Sequence, residues 1–205
     1  LSINKSIFNL KQNFQFFLSS TSTHLTLNSA LIVLSFFATN KELGRFTLAY
    51  KVAFLLRMLP VFFIQSALQQ ASNFNLKSKE AYKNYISKYF KVGLVITILI
   101  AMITFIFSDM IIYIFSREKI DYSSKILSIL AFIPFFAMLN FKNIIYLLVN
   151  DLKSTLNKAT FLTMIFMLLS SFILSYLYSG LGLAYALVFT EIVSFIIHYY
   201  LINKK

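Results

Sequence analysis

Apolar residues in this chain gather in long runs broken by short polar stretches, roughly one run per 30 residues, and the runs do not alternate every second position. That pattern predicts membrane-crossing helices and not the strands of an outer-membrane barrel. Windows of about 19 residues place six spans at 14–38, 46–73, 89–115, 124–149, 159–179 and 181–202. Between them lie "NKELGR", "NLKSKEAYKNYIS", "SREKIDYSS" and "NDLKSTLNK". The last two spans meet at "YSGLG", where Gly180 and Gly182 offer the backbone freedom of a tight helix hairpin.

Composition agrees. Of 205 residues 59% are apolar and 13% charged, with a mean hydropathy of +0.75. A soluble domain of this size would not stay in solution with that content. With no cysteine there is no disulfide framework and no thiolate chemistry. The opening "LSINKSIFNLKQNFQFF" lacks a small-residue cleavage site, so no removable signal peptide is expected, and the absence of an initiator Met is consistent with a fragment. The net charge of +12 does not call for nucleic acid here, because it follows from topology. Lys5, Lys11, Lys77, Lys79, Lys83, Lys88, Lys91, Lys153, Lys158, Lys204 and Lys205 fall on one side of the six spans, against Lys41, Arg45, Arg117, Lys119 and Lys125 on the other. The positive-inside rule makes the first side, with both termini, cytoplasmic. In the second connection Tyr82, Tyr85, Ile86, Tyr89 and Phe90 recur at helical spacing among lysines, which predicts an interfacial amphipathic helix leading into the third span.

Polar residues inside the spans are the candidate chemistry, because an ionised group at mid-bilayer costs about 2.5–3.5 kcal/mol on insertion scales and needs a partner or water. At about 100° per residue, Thr47, Lys51, Gln65, Ser66, Gln69 and Asn73 share one sector of the second span, while Arg57 lies about 120° away unless Pro60 re-phases the helix. The first span carries His24 and Asn28, one turn apart, with Ser20, Thr21 and Ser35 on the same face. Small hydroxyls there also serve as packing groups. In the sixth span Glu191 lies near the face of Ala184, Ser194 and His198. Arg57 and Glu191 are equally deep when counted from the outer ends of their spans, which makes them candidate counter-ions, either as a structural pair or as part of a substrate site. Lys142 is near enough to the cytoplasmic end of its span to snorkel. There is no phosphate-cradling glycine loop, no HExxH and no nucleophile elbow, so no enzyme and no cofactor is expected.

Three segments together resemble the C-terminal six-helix half of the O-antigen and polysaccharide flippases of the multidrug/oligosaccharidyl-lipid/polysaccharide exporter superfamily. They are "NSALIVLSFFATNKELGRFTLAYKV", "IFSREKIDYSSKILSILAFIPFF" and "SGLGLAYALVFTEIVSF". The resemblance covers nearly the whole chain. It implies an all-α integral membrane protein in which residues 1–205 form one six-helix lobe of a two-lobe transporter of the bacterial inner membrane. The implied cargo is an anionic oligosaccharide carried on undecaprenyl diphosphate and moved across the lipid bilayer for lipopolysaccharide biosynthesis. The implied partner is an N-terminal lobe or a second copy of the chain. On that resemblance Lys51 and Arg57, with His24, Asn28, Gln65 and Gln69, would face a solvated cavity toward the cargo, with Glu191 as counter-ion; motif correspondence carries Lys51 and Glu191, and Arg57 is placed by depth and charge. Two alternatives stand beside it: a lobe of a cation-coupled drug exporter, for which more intramembrane carboxylates would be expected, and a non-transporting membrane remnant.

Overall fold

The computed structural model describes residues 29–204, and these are helical nearly throughout with no strand among them. The elements are α1 (29–35), α2 (Asn40–Lys77), α3 (Lys79–Ile106), α4 (Ser108–Ser116), α5 (Asp121–Leu130), α6 (Ile133–Leu139), α7 (Phe141–Val149) and α8 (Lys153–Asn203). Among the described residues four stretches are long and apolar enough to cross a membrane: Asn40–Lys77, Lys79–Ile106, Asp121–Val149 and Lys153–Asn203. Their length and composition make this a multi-pass membrane protein. Most of the expected first span lies outside the described residues; of its end, α1 packs Ala30 and Leu34 fully buried into the bundle.

The four stretches differ from simple rods in ways the apolar pattern did not predict. At 51 residues, α8 would be about 77 Å long if straight, more than twice the roughly 30 Å hydrocarbon core. It is not straight. Ser179 has φ 53° and ψ −132°, and a Cβ added to Gly182 would run into the carbonyl oxygen of Leu174, eight residues earlier. Such residues stand about 12 Å apart on an unbroken helix, so the chain folds back at Ser179 and its two halves pack antiparallel. The positive φ falls on the serine; Gly182 is needed for close approach, not for its own conformation. The stretch 121–149 is interrupted at Ala131–Phe132, just ahead of Pro134, and again at Asn140, although the backbone stays in the right-handed helical region at these positions.

The latter part of the second connection is helical and runs unbroken into the third span, so Lys79–Ile106 is one helix. A single extended residue, Ser78, joins α2 to α3. Its N–H donates to Phe74 O at 2.9 Å, while its Oγ accepts from Glu80 N and Ala81 N, so it closes one helix and caps the next. At 38 residues α2 is about 57 Å long, well beyond one crossing. The excess lies at the Ser78 end, where α2 and α3 are held together by Phe74 against Tyr85 (5.1 Å between centroids) and Phe63 against Tyr89 (6.5 Å), with Tyr85 and Tyr89 in contact along α3 (4.9 Å). Ala67, Ala71 and Ile86 are buried with Met138, Phe141 and Ile145 of α6 and α7 beneath this hairpin. A larger core at the other end joins α1, α2, α4, α5 and α8 around Phe46, Ile112, Leu127 and Leu183.

Apolar side chains cover much of the outside, as expected where hydrocarbon is the solvent. Exposed Tyr178 stands beside the turn and exposed Tyr199 near the far end of the second half of α8, whose rise from Gly180 to Tyr199 is about 29 Å, close to the spacing of two membrane interfaces.

Candidate functional site

Halfway down the bundle, α2 and the second half of α8 each contribute a charge. Arg57 Nε donates to Glu191 Oε1 at 2.7 Å, with the two side chains 29% and 12% exposed. Each residue is mid-helix: Arg57 lies 17 residues from Asn40, and Glu191 lies 12 residues from both Ser179 and Asn203. Ionised alone at this depth, either group would be costly; paired, each supplies the other's counter-charge. This bond uses one of the five guanidinium donors.

Two cavities meet at the pair. One, of about 60 Å³, lies toward the large core and is lined by Tyr50, Thr163, Met167 and Thr190 among others. The second, of about 220 Å³, runs toward the Ser78 side past Pro60, Asn140, Thr160, Ser194 and His198. Space of about 10–15 Å³ admits one water, so both cavities can be wet, and both fall below the roughly 300 Å³ at which drug-sized sites begin. What fits is water, a small ion or a single charged group of a larger ligand.

Glu191, Ser194 and His198 follow one another at i, i+3 and i+7 on α8, and Asn140 approaches them from the second interruption of the 121–149 stretch. His198 Nδ1 lies 2.8 Å from Ser194 O, 3.1 Å from Asn140 Nδ2 and 3.4 Å from Ser194 Oγ. A carbonyl oxygen only accepts, so the tautomer with its proton on Nδ1 satisfies the shortest of these contacts and leaves Nε2 as an acceptor. Asn140 Nδ2 also lies 3.3 Å from Ser194 Oγ, and Asn140 Oδ1 accepts from Asn143 Nδ2 at 3.1 Å. Asn140, Ser194 and His198 are all buried, so this network carries polarity from mid-bundle to the end of α8.

The structure thus divides the residues that the sequence grouped. Arg57 and Glu191 are together inside the bundle. Lys51, Gln65 and Gln69 are exposed on another face of α2 and border neither cavity. Among the described residues Lys51 pairs with no carboxylate. Gln65 and Gln69, with Ser66, Gln70 and Asn73, lead into the α2–α3 hairpin beyond the apolar run that ends at Ile64. His24 and Asn28 lie outside the described residues. Lys142 places its Nζ 4.4 Å from the centre of the Phe90 ring, a cation–π contact in addition to its snorkelling position. Asn140 and Tyr50 were not singled out from the sequence; the signal for Asn140 was a strongly polar amide inside the apolar "AMLNF". No metal-holding group of three or more His, Asp or Glu occurs among the described residues.

A second polar cluster ties the opposite end. Glu42, in the first turn of α2, accepts from the Tyr122 hydroxyl of α5 through Oε1, which also accepts from Gly180 N at 3.3 Å. Ser123 Oγ donates to Arg45 O at 2.8 Å beside it. One carboxylate therefore joins α2, α5 and the turn of α8.

Against known proteins, no family model, no curated protein and no solved structure matches the chain.

Proposed function

We propose that this chain is one lobe of a flippase for an anionic lipid-linked oligosaccharide of the O-antigen type, set in the bacterial inner membrane with both termini cytoplasmic. The observation that carries the reading is the Arg57–Glu191 pair at mid-bundle, bordered on both sides by cavities whose mainly apolar walls carry a few polar side chains. A pair serving only to hold helices together needs no cavity; one that exchanges partners does. In this reading α1, the four long stretches and the fold-back of α8 make six crossings in all. Lys51, on the open face of α2, meets the diphosphate or acidic sugars in a path between this lobe and a second one. Arg57, held by Glu191, is the lobe's internal charge, whose pairing responds to cargo. The cavities are too small for the cargo itself, so the path for sugars lies outside the lobe, along the face of α2. The resemblance in "GRFTLAYKV" and "GLGLAYALVFTEIVSF" supports the same reading.

The test is complementation of a bacterial strain lacking its O-antigen flippase, with this chain supplied alone and together with an N-terminal lobe. Restored surface O-antigen with both pieces, lost again with Arg57→Gln or Lys51→Gln at unchanged protein level, is the expected result. No restoration by wild type in the presence of a compatible lobe, alongside export of cationic dyes, would replace the reading with a drug-exporter lobe.

A further inference from the structure

Two exposed lysines, Lys88 and Lys91, stand on the outer side of α3 where the hairpin passes into the apolar part of the helix. Directly along the helix from them, within a sector of about 100°, come Val92, Val95, Leu99, Met102 and Ile106, which are 48%, 54%, 56%, 46% and 63% exposed. No Asp or Glu occurs between residues 81 and 108, and the one carboxylate of α3, Glu80, lies about 12 Å along the helix from Lys88, beyond ion-pair reach. The other side of α3 is occupied: Tyr85 and Tyr89 pack on α2, and Phe90 carries Lys142 of α7.

We propose that this face of α3 is a binding site for one acidic phospholipid, with the headgroup phosphate between Lys88 and Lys91 and an acyl chain along Val92, Val95 and Leu99. Charge complementarity selects the headgroup: two cations one turn apart, with no nearby carboxylate, attract a phosphodiester that lacks a compensating choline. Geometry selects a lipid over free phosphate, because the apolar strip begins one residue beyond Lys91 and runs about 21 Å, more than the roughly 15 Å half-thickness of the hydrocarbon core that one acyl chain spans. The site is remote from Arg57 and Glu191, and it holds whatever the lobe transports. Its effect is to fix the depth and tilt of the α2–α3 hairpin in its leaflet.

The experiment is native mass spectrometry of the full chain in neutral detergent with phosphatidylglycerol or phosphatidylcholine added. Wild type should retain phosphatidylglycerol in preference to phosphatidylcholine, and glycerol 1-phosphate should not compete for the site. Lys88→Gln with Lys91→Gln should weaken phosphatidylglycerol binding about thirtyfold. Lys77→Gln with Lys79→Gln at the hairpin tip, where Lys79 is about 14–18 Å along α3 from the site, should change it less than twofold, and Lys88→Arg with Lys91→Arg should retain it. Equal retention of both lipids by wild type, undiminished binding in the Lys88/Lys91 glutamine variant, equal loss in the tip variant, or displacement by glycerol 1-phosphate would each overturn the site.

Discussion

A charged residue inside a membrane bundle is defined by what it loses when its partner goes. Removing either Arg57 or Glu191 strands the other at mid-span, where a lone buried charge costs about 3–5 kcal/mol, while replacing both with apolar groups of similar volume leaves a packed, uncharged interface. Glu191→Leu or Arg57→Met alone should therefore destabilise the detergent-solubilised protein by about 3 kcal/mol, and the double variant by well under the sum. A denaturation cycle measures this; additive losses would show that the two charges are independently solvated and that their bond is incidental. The Asn140 network gives a contrasting case. Asn140→Ala removes one buried amide and leaves Ser194 Oγ and Asn143 Nδ2 short of a partner, for an expected loss of about 1–3 kcal/mol. Asn140→Leu, which keeps the branched shape but is bulkier, should cost no less, because the same partners remain orphaned. The sequence showed both charges and their matching depth, since depth follows from counting residues along helices. It did not show that Asn140 meets Ser194 beside them, because that contact depends on where the 121–149 stretch is interrupted.

Helix ends and turns decide how these residues meet, and here single side chains do most of the work. Ser179 holds φ 53°, a region where a non-glycine residue is strained by about 1–3 kcal/mol, and Glu42 fixes the turn by accepting from the next backbone N–H. Ser179→Gly should relieve the strain, less the entropy that glycine adds to the unfolded chain, and raise the melting temperature by about 2–4 °C. Gly182→Ala should lower stability sharply, because its Cβ meets backbone of Leu174 that cannot step aside. Thermal unfolding followed by circular dichroism checks both, and a stabilising Gly182→Ala would mean that the two halves of α8 do not pack as described. The apolar pattern located this hairpin to within a residue or two, since "YSGLG" interrupts an otherwise unbroken apolar run. It assigned the turn to the glycines, because small residues are the usual mark of one, and a serine held in place by a distant carboxylate carries no local signal. The α2–α3 hairpin shows the reach of hydropathy windows: they end one span at 73 and start the next at 89, whereas α2 runs on to Lys77 and α3 begins at Lys79, with Phe74 packed on Tyr85 between the two helices.

For the whole molecule the open question is what covers the outward polar groups, because a lobe whose interior is satisfied can still be incomplete. The charged and amide groups inside are satisfied: Arg57 has Glu191, Asn140 Nδ2 donates to Ser194 Oγ, and His198 Nδ1 donates to Ser194 O. The face of α2 with Lys51 is not, and lipid offers an ammonium group nothing unless it reaches the headgroups. Topology sets how far it must reach. If the lysine-rich side is cytoplasmic, cysteines placed at Lys79 and Asn84 should resist a membrane-impermeant thiol reagent in spheroplasts while one at Lys119 reacts; the opposite pattern would invert the orientation. Lys51 then lies about 8 Å below Phe46, where the apolar run of α2 begins on the outer side, a distance its stem can partly span. A second lobe or second copy against the same face would give it water or cargo without that stretch. In carriers that work by alternating access two lobes rock about a shared path, so one lobe alone has nothing to rock against. The purified chain should accordingly self-associate, or gain stability when an N-terminal lobe is added, and a cysteine at Lys51 should cross-link to the partner whereas one at Val95, on the lipid side of α3, should not. Analytical ultracentrifugation in density-matched detergent and disulfide cross-linking measure this. A monodisperse single copy that flips a lipid-linked oligosaccharide in liposomes unaided would show that the chain is a complete transporter and that Lys51 needs no second lobe.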